Sequence, residues 1–64
     1  MCQFDVIDVK NNRSKSCFTS WDIFNTILFL TDSETEAKHV WLQAGHLKVG
    51  GQLTKDYCTV KRVA

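Results

Sequence analysis

The chain has 64 residues, 44% of them hydrophobic and 23% charged, with a formal net charge of +1. That length makes one domain, in which folding buries only about 60% of the surface that the unfolded chain exposes. The composition excludes a disordered chain, and the longest apolar run, Ile27 to Leu30, is four residues, far short of a membrane span.

The chain opens with Phe4, Val6, Ile7 and Val9 set among acids, and this β-branched segment predicts a strand over Gln3 to Lys10. The "KNNRSK" stretch that follows holds Asn11 and Asn12, which tolerate positive φ, so it reads as a hairpin turn. Ser16 to Trp21 then returns as a second strand, with Ser16, Phe18 and Ser20 on one face and Cys17, Thr19 and Trp21 on the other.

The next segment, "SWDIFNTILFL", has two readings. A helix capped by Ser20 would carry Asp22 in its first turn and align Phe24, Ile27 and Leu28 on one side. A turn over Asp22 to Asn25 followed by a third strand, Thr26 to Thr31, is the alternative, favoured by the weak helix propensity of Ile, Phe and Thr.

The helix after it has a full set of signals. Asp32 or Ser33 caps it, Ser33 stands three residues before Glu36 as a capping box requires, and Glu34 and Glu36 suit the positive end of the dipole. Ala37, Val40, Trp41 and Ala44 form one apolar stripe, and Gly45 is expected to end the helix in the left-handed conformation, giving Glu34 to Ala44. Val40 and Trp41 are expected in the core. Leu47 and Val49 are expected in a short strand, and "YCTVKRV" is the last strand. The expected fold is α+β: an antiparallel sheet of three to four strands packed on one helix, ββ(β)αβ, in a single domain over residues 1–64. The alternative is a β-hairpin with two helices and a C-terminal strand.

No basic region followed by an apolar one opens the chain, and Cys2, Cys17 and Cys58 are odd in number and widely spaced. Both features predict a cytoplasmic protein with free thiols. No close pair of metal-ligating residues occurs; His39 and His46 are seven apart and would share a face only on a helix running past Gly45. "VGGQ" lacks the pattern of a phosphate-binding loop, and no local signature activates a cysteine. The expectation is therefore no catalysis, no metal, no cofactor and no small-molecule substrate.

What remains is binding. Residues 1–37 hold three basic and six acidic side chains, net −3, whereas residues 38–64 hold five basic and one acidic, net +4. Opposite charges meeting across a sheet would cancel this asymmetry. Lys10, Arg13 and Lys15 in the hairpin, with Lys61 and Arg62 on the last strand, offer a basic edge that suits a phosphate backbone. Bases would need stacking aromatics on the sheet, for which Phe4, Phe18, Trp21 and Tyr57 are the supply, unless Phe4 and Phe18 are core. A protein partner needs less: an open strand edge and an anchor, for which Trp21 is the candidate.

The order strand, strand, "TILFLTDSETEAKHVWLQAG", final strand "YCTVKRV" resembles small phage-encoded proteins that switch off host machinery, among them inhibitors of bacterial RNA polymerase and small anti-CRISPR proteins. The resemblance lies in a strand running into Thr31 to Ala37 at the start of a helix and in a basic closing strand, Thr59 to Arg62. It implies a non-catalytic inhibitor in the host cytosol that occludes a host protein, a polymerase or a defence nuclease, and it assigns no individual residue a role. The binding surface expected from charge and from the hairpin is Lys10, Arg13, Lys15, Trp21, Lys61 and Arg62. Nucleic acid is the second candidate partner, and no membrane is involved.

Overall fold

The computed structural model describes residues 2–64. Its elements are β1 (Phe4–Asp8), β2 (Arg13–Cys17), α1 (Ser20–Thr31), α2 (Glu34–Ala44), β3 (Gln52–Thr54) and β4 (Cys58–Arg62). The strands form one antiparallel sheet in the order β2-β1-β4-β3. Both helices lie on one side of it, α1 against β1 and β2 and α2 against β3, and the two helices pack closely on each other. The fold is thus α+β as expected, with two helices instead of one. Among the described residues, no helix is long and apolar enough to cross a membrane.

The β1–β2 turn is tighter than the sequence suggests. The Asp8 carboxylate accepts from the backbone N–H of Lys10 (3.1 Å) and Asn11 (3.3 Å) and from Asn11 Nδ2 (2.8 Å), and Asn12 takes φ 53°. These local bonds reverse the chain by residue 12. Consequently β2 starts at Arg13 and ends at Cys17, whereas the expected strand ran from Ser16 to Trp21. Thr19 is the next N-cap, its hydroxyl accepting from Asp22 N at 3.1 Å.

The expected strand at Thr26 to Thr31 is the second half of α1, and Thr19, not Ser20, caps that helix. Packing overrides propensity here. Ile23, Thr26 and Ile27 are buried at three- and four-residue spacing, with Leu30 partly buried one turn on. The two β-branched threonines satisfy their hydroxyls within the helix, Thr26 donating to Asp22 O (2.7 Å) and Thr31 to Ile27 O (2.8 Å). Asp32, left-handed at φ 53°, ends α1, and its N–H bonds Leu28 O at 2.7 Å.

Helix α2 has the bounds read from the sequence, with Ser33 accepting from Glu36 N at 3.2 Å. Only that half of the capping box forms. Ser33 N–H donates instead to Thr31 Oγ1 (3.2 Å), which frees the Glu36 carboxylate to accept from Tyr57 O–H at 2.7 Å and tie α2 to the start of β4. Gly45 is not left-handed: it stays right-handed at φ −62° while the Gly45, His46 and Leu47 N–H groups close the helix end onto Trp41, Gln43 and Ala44 carbonyls. The left-handed glycine is Gly50, at φ 88°, where the chain turns into the β4 partner strand. Leu47 and Val49 make no strand; the third strand lies at Gln52–Thr54.

The core consists of Phe4, Val6, Cys17, Ile23, Ile27, Ala37, Val40, Ala44, Cys58 and Val60. Val40 is fully buried as expected, whereas Trp41 is only partly covered and sits at the core's rim. The other face of the sheet carries Asp5, Ile7, Ser14, Ser16, Gln52, Thr54, Thr59 and Lys61, the residues that alternate with the core positions. Asp5 and Lys61 stand directly opposite each other on it, so acid from the first half of the chain meets base from the last.

Candidate functional site

A groove runs between the β1–β2 hairpin and the C-terminal half of α1. Register explains who lines it. Phe4 pairs with Cys17, Val6 with Lys15 and Asp8 with Arg13, so Lys15 and Arg13 project from β2 toward the helical layer. Helix α1 does not reach over them. Both cations are exposed, and a cleft of about 360 Å³ opens between them, Val6, Thr26, Phe29 and Leu30. A second cleft of about 260 Å³ continues it toward Lys10 and Tyr57, sharing Asp8, Asn11, Phe29 and Leu30 with the first.

Phe29 dominates this surface. It is 87% exposed, the most exposed of the large hydrophobic side chains among the described residues. Asp8 is the acid within the groove, and its carboxylate is already occupied by the Asn11 side chain and two backbone N–H groups. Those bonds, led by the Asn11 side chain, hold it below the usual carboxylate range, and Arg13 acts on it only as the weakest influence. Asp8 is therefore a charged carboxylate beside its cross-strand partner Arg13, and Lys15 is the second cation of the groove.

The six residues singled out from sequence separate into three places. Lys10, Arg13 and Lys15 come together around the groove. Trp21 lies in the first turn of α1, two turns from Phe29, or about 12 Å along the axis. There it is 64% exposed and stacks on Phe24 at 5.4 Å, with Trp41 edge-on to Phe24 at 6.2 Å. Trp21 does not close the core.

Lys61 points from the open sheet face, opposite Asp5. Arg62 projects to the opposite side and is engaged within the fold, donating to Leu47 O (2.7 Å), Ala64 O (3.1 Å) and Cys2 Sγ (3.3 Å), with its guanidinium 5.9 Å from the Phe4 ring centre. It holds the α2–β3 connection to the sheet. The last strand therefore contributes no basic edge continuous with the hairpin.

The aromatics expected on the sheet are not there. Phe4 is buried, Phe18 precedes α1 and is half exposed, Trp21 is helical, and Tyr57 packs on the core with its hydroxyl on Glu36. A strand over Thr26 to Thr31 gives Phe29 no distinct role, whereas on the helix it stands outward. The signal was present: on a helix Trp21, Asn25 and Phe29 fall at four-residue steps, opposite Ile23, Ile27 and Leu30.

The three cysteines are free, Cys17 and Cys58 buried and Cys2 exposed. Burial pushes the Cys17 thiol up, and it pushes Cys58 up to about 11 with help from Asp8 and Glu36. Among the described residues, no group of three or more His, Cys, Asp or Glu could hold a metal ion. Helix α2 ends at Ala44, so His39 and His46 do not share a helical face. Compared with known proteins, the chain matches no family model, no curated sequence and no solved structure.

Proposed function

We propose that this chain is a small non-catalytic binding protein that acts by covering a functional surface of a protein partner, in the manner of a phage-type inhibitor of a host polymerase or defence nuclease. The observation that carries this reading is Phe29, almost fully exposed beside Arg13 and Lys15. A helix that is apolar on its core side and also displays Trp21 and Phe29 outward has more apolar surface than the fold itself uses. Burying an aromatic of this size against a partner contributes about 2–3 kcal/mol, enough to make it a hot spot.

The test is capture from a bacterial lysate with tagged protein. Wild type should recover one partner reproducibly, and Phe29→Ala should lose it while keeping the native circular dichroism spectrum. Recovery of the same partner by Phe29→Ala would remove the groove from the reading.

Nucleic acid is the second reading, favoured by the clustering of Lys10, Arg13 and Lys15 beside one exposed aromatic. The open sheet face, which lacks stacking aromatics, does not support it. Three phosphate contacts would give a log–log salt slope of about −2 to −3 for oligonucleotide binding. No binding at low salt rejects it.

A further inference from the structure

We propose that the outer edge of β2 accepts an extended segment of the partner whose acidic side chains alternate with polar ones, so that it lengthens the sheet by one strand. This rests on the protein-binding reading above and specifies the partner's chemistry. Strand β2 is an edge strand, so the backbone groups on its outer side have no strand to pair with. A strand added there would present every second side chain to the groove, next to Arg13 and Lys15, and the intervening ones beside Ser14 and Ser16.

Charge complementarity selects acids at the first set of positions, because Arg13 and Lys15 outnumber Asp8, the acid that lines the same groove. Phe29 and Leu30 line the same groove as Arg13 and suit an apolar side chain that reaches into it. A cleft of about 360 Å³ takes side chains of an extended segment, whereas a helix of about 10 Å diameter would be held off by the two cations.

The other edge and a second copy fit less well. Strand β3 is only three residues long and has α2 packed against it. Antiparallel pairing of β2 with β2 of another copy would bring Arg13 and Lys15 of both chains together, and like charges side by side destabilise such a pair.

The experiment uses the full chain and fluorescently labelled peptides of about eight residues, read by anisotropy and by amide chemical shifts. One peptide alternates glutamate with threonine and ends its glutamate row in leucine. A second has the same composition with the glutamates in a block, a third is the first with alternate backbone amides methylated, and a thymidine oligonucleotide is the fourth probe.

The alternating peptide should bind, shift the amides of residues 13–17, and bind about tenfold more weakly to the Arg13→Ser, Lys15→Ser double variant. Lys15→Glu should recover binding to a peptide carrying lysine in place of the facing glutamate. Equal binding of the blocked or the methylated peptide, tighter binding of the oligonucleotide, or binding by none of the probes overturns the proposal. If the peptides fail while Phe29→Ala still abolishes lysate capture, the strand-addition idea falls and the protein-binding reading stands.

Discussion

At the scale of single residues, exposure divides side chains that look alike in the sequence. Phe29 and Phe4 are both apolar aromatics, yet one is 87% exposed and the other 6%. Phe29→Ala should therefore change stability by less than about 0.5 kcal/mol in urea denaturation, because nothing packed is lost. The thiols divide in the same way. In the folded protein Cys2 should react with a thiol reagent first, and Cys17 and Cys58 only on unfolding. Burial also couples Cys58 to pH. Its folded value of about 11 lies above the ordinary 9.0, so the unfolded chain releases the proton first, and Cys17 and Tyr57 shift in the same direction. The stability that Cys58 contributes is complete below about pH 9 and is lost as the pH rises through 11, and Tyr57 adds to the loss above pH 10.0. Urea midpoints should fall across that window; a midpoint that holds constant there would contradict the buried, protonated thiols.

At the scale of elements, α2 was legible because every signal for it is local. Ser33 caps it, acids fill its first turn and its apolar stripe has one period, so its bounds came out as Glu34–Ala44. Ser33→Ala should cost about 1 kcal/mol in thermal denaturation, the usual price of a lost N-cap. Helix α1 was legible only as the less favoured of two readings. Its residues have weak helix propensity, and what makes them helical is the buried face formed against α2 and the sheet, which a local reading does not contain. The hairpin failed for a related reason. Its two strands were recognised, but the Asp8 carboxylate bonds set the turn length, and a shift of β2 toward the N-terminus moved Arg13 and Lys15 from a loop onto a strand. That shift gives the two cations a common direction, since positions two apart on a strand share a face.

At the scale of the whole molecule, a core of ten buried side chains among the described residues leaves little reserve. Ile27 is fully buried between α1 and its neighbours, and Ile27→Ala should cost about 2–5 kcal/mol, enough to unfold a large fraction of a domain this small. Circular dichroism at room temperature would show it, and a fully folded variant would mean that the core carries less of the stability than its burial implies. The sequence by itself determined the α+β class, the first and last strands, α2 with its cap, and the free cysteines, because turn residues, alternation and capping act over a few positions. Only the tertiary structure decided that residues 26–31 are helical, that Arg62 is engaged with Leu47 and Ala64 while Arg13 faces solvent, and that Phe29 stands beside Arg13 and Lys15. Those outcomes depend on which segments far apart in the chain come to share one buried face, and that is a property of packing.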